Sequence, residues 1–140
     1  MLLIDLENDI FTAVAEKVLE AHPAVTVTGE YADTLSKLPT VTIEERDNAV
    51  LQSMRTLNIE NAVSVMYEVN VFSNKTPAAK SDAKRVMSTV DNAFAEAGFT
   101  RTYKNQIPNF QDKRIHRIVA RYEAVIGPAQ EEGKYLIYQA

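Results

Sequence analysis

Residues 63–126 switch between the two hydrophobic periods available to a chain, and the points where they switch are sharply marked. From Val63 the odd positions Val63, Val65, Tyr67, Val69 and Val71 are apolar or aromatic, whereas Ser64, Glu68 and Asn70 are polar. That is the two-residue repeat of a half-buried strand. The strand runs about eleven residues, longer than the usual ~5 or 6. Ser73-Asn74-Lys75 ends it, and Thr76-Pro77 supplies an N-cap followed by a proline at the first helical position, where a missing N–H costs nothing. A helix is predicted to follow, with Ala83, Val86, Met87, Val90, Phe94 and Ala97 on one stripe. Gly98 is placed to take the left-handed conformation after the helix, with Phe99 folding back on Phe94. A strand near residues 99–105 comes next, and then residues 114–126, where Ile118, Ala120, Tyr122, Ala124 and Ile126 alternate with Arg117, Val119, Arg121, Glu123 and Val125.

The preceding part of the chain supplies the remaining elements. Asp5 is a suitable cap for a first helix whose Leu6, Ile10, Phe11, Val14, Ala15 and Val18 form an apolar stripe, and Pro23 disfavours the helical conformation at His22. Val25-Thr26-Val27-Thr28 reads as a short strand turned by Gly29, and Val41-Thr42-Ile43, within residues 39–47, reads as the next, with residues 30–38 as the loop between them. Residues 48–61 are expected to form the arm and tip of a long hairpin into the third strand. Two amphipathic helices need a sheet to cover. The expected fold is α+β: one mainly antiparallel, twisted sheet of four or five strands with two helices on one face, in the order α-β-β-β-α-β-β. The domain is expected to span residues 1–127, and residues 128–140 to form a linker and a strand-like extension.

A chain of 140 residues with 46% hydrophobic content can enclose one core. Met1-Leu2-Leu3-Ile4 is followed at once by Asp5 and Glu7, unlike a signal peptide, and no apolar run approaches the ~20 residues of a membrane span. A soluble protein, intracellular when made and without a membrane partner, is expected. The absence of cysteine excludes disulfides, cysteine-ligated metal and thiol catalysis, and a net charge of -4 argues against a dedicated nucleic-acid binder.

The chemistry-bearing residues are sparse. His22 lies at a helix end, and His116 lies in a strand between Arg114 and Arg117, which disfavour its charged form. Glu44-Glu45 point to opposite faces of a strand, and Glu131-Glu132 fall in the linker. Four glycines, at positions 29, 98, 127 and 133, cannot build a nucleotide-binding loop, and no nucleophile elbow occurs. No catalytic residue, cofactor or metal is expected. A ligand-binding domain of ferredoxin-like type would show a related alternation of elements but more glycines. A small phosphate-handling hydrolase using Arg101, Asn105 or Arg117 would lack a nucleophile or base.

Glu60-Asn61-Ala62, residues 65–74 (Val65-Met66-Tyr67-Glu68-Val69-Asn70-Val71-Phe72-Ser73-Asn74), Ala97-Gly98-Phe99, and residues 117–124 (Arg117-Ile118-Val119-Ala120-Arg121-Tyr122-Glu123-Ala124) together resemble the tail terminator, or tail completion, proteins of tailed bacteriophages. The resemblance covers most of residues 5–127. It implies a small α+β virion subunit in a ring, usually a hexamer, at the head-proximal end of the tail tube. Such a ring stops tube polymerisation and offers a docking face for the head connector. The implied partners are other copies of the chain, the tail tube protein, the connector or neck protein and, in a contractile tail, the sheath; DNA passes through as cargo. A head-tail connector or neck subunit is the nearest alternative.

Three groups are candidate contacts. Val50, Leu51, Met54, Leu57 and Ile59 either cap the end of the core or touch a neighbouring subunit, and the resemblance favours the neighbour. Arg117 and Arg121 share a strand face with Glu123; they either form cross-strand ion pairs with residues such as Glu68 on a solvated face or meet an acidic neighbour in the ring, the reading favoured over a DNA-lined channel. Tyr135, Leu136, Ile137 and Tyr138 form an apolar strand after a linker, which either returns to the parent sheet edge or augments a neighbour's sheet; action outside the parent core is the expectation.

Overall fold

The computed structural model describes residues 6–29, 39–50, 62–75, 77–108, 114–128 and 135–138. Its elements are α1 (Glu7–Ala21), β1 (Thr26–Thr28), β2 (Thr40–Val50), β3 (Val63–Ser73), α2 (Ala79–Glu96), β4 (Thr100–Pro108), β5 (His116–Pro128) and β6 (Tyr135–Tyr138). The strands form one six-stranded sheet in the order β1-β2-β3-β5-β4, with β6 paired to β5. The expected α+β class and element order are observed. The sheet is mixed, because β1 and β2 run parallel while the other pairings are antiparallel. A parallel neighbour needs a crossover of about a dozen residues rather than a tight turn. Residues 29–39 provide that length between Thr28 and Thr40.

Both helices pack on one face. The sheet presents Val41 and Ile43 from β2, Val65, Tyr67, Val69 and Val71 from β3, and Ile118, Ala120, Tyr122 and Ala124 from β5. Against them lie Ile10, Val14 and Val18 of α1 and Val86, Met87, Val90 and Phe94 of α2. These are the stripes that the helical spacing marked out, and each large side chain removed from water contributes roughly 1.5–3 kcal/mol. Tyr67 and Tyr122 are register partners on β3 and β5, and the Phe94 ring stacks on Tyr122 with centroids 4.3 Å apart and planes at 3°. Phe99 meets Phe94 edge-on at 5.3 Å and Tyr67 edge-on at 5.4 Å.

The end of α2 follows the expected pattern closely. Gly98 has φ 93, its N–H bonds to the Ala95 carbonyl at 3.0 Å, and the Phe99 N–H bonds to the Phe94 carbonyl at 2.9 Å. This is the paired hydrogen bonding of a Schellman cap, sealed by the Phe94–Phe99 contact. The start differs. The helix begins at Ala79 with Ala78 as its cap residue and no side-chain cap, so Pro77 lies in the preceding turn rather than at the first helical position. The Ser73 hydroxyl bonds to the Asp82 carboxylate instead, which ties the first turn of α2 to the end of β3. Thr76, like Asp5, lies outside the described residues. In α1 the cap position is Leu6, without a side-chain bond.

The C-terminal strand corrects the expectation that it acts outside the parent core. Tyr135, Leu136, Ile137 and Tyr138 pair with Pro128, Gly127, Ile126 and Val125 of β5. The reason is strand length: β5 has 13 residues, whereas β4 has nine and its pairing ends at Thr100↔Glu123. That leaves one edge of residues 125–128 without a partner until β6 takes it. Truncation after Pro128 is therefore expected to lower the melting temperature of the monomer by several degrees, since exposing four strand positions costs on the order of 1–2 kcal/mol. Thermal unfolding of the full-length and truncated chains measures it, and unchanged melting would show that β6 contributes no stability to the sheet.

Candidate functional site

The helix-free face of the sheet gathers the polar residues of β2, β3 and β5 into rows. One row is Glu44, Glu68, Arg121 and Tyr103, placed side by side by the registers Glu44↔Glu68, Glu68↔Arg121 and Tyr103↔Arg121. A register shift between Glu45 and Asp47 puts Arg46 beside this row. Arg46 donates to Glu68 at 3.0 Å and to Glu44 at 3.4 Å, and Arg121 donates to the other Glu68 oxygen at 3.4 Å. The Arg121 guanidinium also lies 5.1 Å from the centre of the Tyr103 ring. Glu68 is thus held between two arginines. The Glu68–Arg121 cross-strand pair, the alternative to the expected contact with a neighbouring subunit, is present, and Arg46 is an addition that the alternating pattern hides, because a bulge moves it out of phase.

Arg117 is in a different setting from Arg121. Its Nε and Nη2 donate to the Asn70 Oδ1 at 3.0 and 2.8 Å, and its guanidinium lies 5.5 Å from the centre of the Phe72 ring. Asn70 is 1% exposed, so this bond satisfies an oxygen that has no water to turn to. Asn70 Nδ2 and the Thr42 Oγ1 on the neighbouring strand are buried without hydrogen-bond partners among the described residues. Arg121, by contrast, is exposed. The two arginines that the sequence groups together therefore separate into a packed structural contact and a surface one.

The other polar groups join elements. Asp82 accepts from Ser73 at 2.6 Å and from Arg85 at 3.0 Å. Burial pushes its carboxyl upward, but the Ser73 hydroxyl, Arg85 and Lys75 outweigh it and hold the group below its ordinary value. The Tyr122 hydroxyl donates to Asp91 at 3.0 Å, and Arg101 donates to the same oxygen at 3.2 Å. Burial, then Asp91, raises the Tyr122 pKa. His22 bonds to Thr89 at 2.9 Å across the helix pair, which Lys17 and Glu96 also bridge. His116 is held below its ordinary 6.5 by burial first and then by Lys80 and Lys84, rather than by its neighbours Arg114 and Arg117 in sequence. Among the described residues, no group of three or more histidine, aspartate or glutamate side chains is arranged to hold a metal ion, and no helix is long and apolar enough to cross a membrane.

Of the hairpin candidates, Val50 ends β2 opposite Val63, while Leu51, Met54, Leu57 and Ile59 lie outside the described residues. Sequence reasoning missed Arg46, Asn70 and Asp82. Asn70 was visible as a polar position on β3, but its partner is 47 residues away.

No family model matches the chain, and no curated protein matches it. Among solved structures, the chain is similar to the PVC sheath/tube terminator of an extracellular contractile injection system in its extended state, at 13% identity and a TM-score of 0.47. The match covers 99% of this chain and 61% of the other, so the chain spans less than two thirds of that protein's length.

The settings of the two arginines lead to different expected costs. Arg117→Ala is expected to destabilise the monomer by about 1–3 kcal/mol, because it leaves the buried Asn70 oxygen unpaired. Arg121→Ala is expected to cost no more than about 1 kcal/mol, as an exposed pair does. Urea unfolding of both variants separates them, and equal losses would contradict the assignment.

His116 gives a pH signature. Its folded-state value lies below 6.5, so the unfolded chain binds that proton more readily. Its contribution is fully present above 6.5 and is lost as pH falls through 6.5 and then through the folded value. His116→Gln should flatten this part of the stability curve, measured by urea unfolding from about pH 8 down to about pH 5.

Proposed function

We propose that this chain is a virion structural protein: a tail terminator whose copies, usually six in the family it resembles, form a ring at the head-proximal end of a phage tail tube. The observation that carries this reading is the spatial unity of three of the segments behind the family resemblance; Glu60 and Asn61 of the fourth lie outside the described residues. Residues 65–74 lie on β3 and just beyond it, residues 117–124 lie on β5 directly beside it, and Ala97-Gly98-Phe99 closes α2 so that Phe99 packs on Tyr67. They form one structural unit within the α+β subunit that the resemblance implies.

The polar side chains support a structural rather than a catalytic role. Asp82, Asp91 and Glu68 each hold two elements together by accepting from donors on both, and His22 bridges the helices. In a terminator, geometry does the work. One face of the ring matches the last ring of the tube and the other does not, so the next heterologous contact is missing and polymerisation ends. The unmatched face is then available to the connector. The partners are other copies of the chain, the tube protein, the connector or neck protein and, in a contractile tail, the sheath. DNA passes through the ring as cargo.

Imaging of assembled particles with the protein labelled is expected to show a single ring at one end of the tube, next to the head. Label repeated along the tube, or absent from particles, would refute the assignment. Label in a neck layer separate from the tube end would identify a connector instead.

A further inference from the structure

Several charges without an ion-pair partner among the described residues divide by sign between the two ends of the central strands, whereas Arg46 and Arg121 are paired to Glu68. Where β3 ends and β5 begins, Lys75 follows β3, and Lys80 and Lys84 occupy the first turns of α2, all exposed. The three converge: Lys75 acts on the Asp82 carboxylate, and Lys80 and Lys84 act on His116, the register partner of Ser73, whose hydroxyl bonds to Asp82. Arg85 is engaged by Asp82, while none of the three lysines has an ion-pair partner among the described residues. The cluster works against local stability. A helix N-terminus is the positive end of the helix dipole, so cations there are unfavourable, and Lys80 and Lys84 repel at i,i+4 spacing.

The complementary charge lies at the other end and on the other face. Asp47 and Glu123 flank Met66 from either side, on the helix-free face, and neither has an ion-pair partner among the described residues. Glu7 and Asp9, in the first turn of α1, add to this end, with Glu7 reaching the Glu45 N–H. From Ser73 to Met66 is seven residues of strand, roughly 23 Å at ~3.3 Å per residue.

We infer that the lysine cluster of one copy seats on the acidic end of the next copy, so that the subunits overlap like tiles around the ring. This rests on the ring assignment and names the surface that closes it. A chain of net charge -4 repels its copies unless their contact brings opposite charges together. Here the two patches differ, lie far apart and face opposite ways, as a heterologous contact requires. Side-chain capture of the Glu45 N–H by Glu7 also blocks that point of the β2 edge to another strand, which leaves charge and side-chain contacts to join copies there.

The test is a charge swap in the full chain. Lys80→Glu with Lys84→Glu, and separately Asp47→Lys with Glu123→Lys, should each keep the circular dichroism of the fold while weakening ring formation about tenfold or more. Combining all four substitutions should restore rings. Sedimentation velocity and electron microscopy of the protein alone and with tail tubes supply the readout, with Asp47→Lys alone as the milder variant if the pair unfolds. Rings unaffected by either reversal, or a folded quadruple variant that stays dispersed, would overturn the contact while leaving the ring itself intact. A wild-type chain that forms no ring, alone or on tubes, would overturn the ring assignment and the contact with it. Lysine reversals that abolish retention on duplex DNA but spare ring assembly would assign the cluster to phosphate and overturn the inference.

Discussion

The stack of Phe94 on Tyr122 fixes how the helix layer meets the sheet. Tyr122 and Tyr67 are opposite each other on neighbouring strands, so one helix residue rests on both, at 4.3 and 6.0 Å between ring centres. Such pairs add ~0.5–1.5 kcal/mol to the area they bury. The Schellman cap then turns the chain so that Phe99 closes the cluster and β4 starts beside β5. Both tyrosines are buried but carry hydroxyls that need partners: Tyr122 reaches Asp91 and Tyr67 reaches Glu45. The aromatic cluster thereby determines where two carboxylates must stand, and Asp91 in turn recruits Arg101 from β4.

Unequal strand lengths shape the rest. Because β5 outruns β4, it has room for β6 on the same edge, which brings residues 135–138 into the sheet. Among the described residues β1 covers Thr40, Val41 and Thr42 of β2, and beyond it the Glu7 carboxylate accepts from the Glu45 N–H at 3.3 Å. A free N–H next to an apolar core is an invitation to aggregation, and a charged side chain is a common defence. The two ends of the sheet thus differ in pairing as well as in charge.

The features legible in the sequence were those set by local spacing. The period-two run placed the start of β3 at Val63, the Gly98-Phe99 pair announced the end of α2, and the helical stripes named Val14, Val18, Val86, Val90 and Phe94 as core. What spacing cannot carry is direction, partner and phase. Nothing in Val25-Thr26-Val27-Thr28 states that it lies parallel to β2, since a strand's own period is the same in either direction. The partner of Tyr135–Tyr138 was set by where β4 stops, which is a property of another strand. Arg46 was concealed by a bulge, and the Ser73–Asp82 bond by the turn that brings α2 back to β3. Arg117 and Arg121 looked equivalent because they share a face, yet one sits opposite Phe72 and the other opposite Glu68.

The charges at the start of α2 bear on why those local rules are broken there. A first turn ordinarily favours carboxylates; that of α2 has Asp82, already committed to Ser73 and Arg85, alongside Lys80, with Lys84 in the next turn. Exchange of those lysines for neutral residues would ease the helix and lessen the repulsion that, after burial, lowers the His116 pKa. Folding alone therefore gives no reason for the lysines. The proposed contact with the acidic end of another copy supplies one, because it would offset in the assembled state a local electrostatic cost that the free subunit carries. In the proposed ring, the α2 N-terminus would be less stable in the free subunit than its packing allows, and the contact between copies would recover the difference.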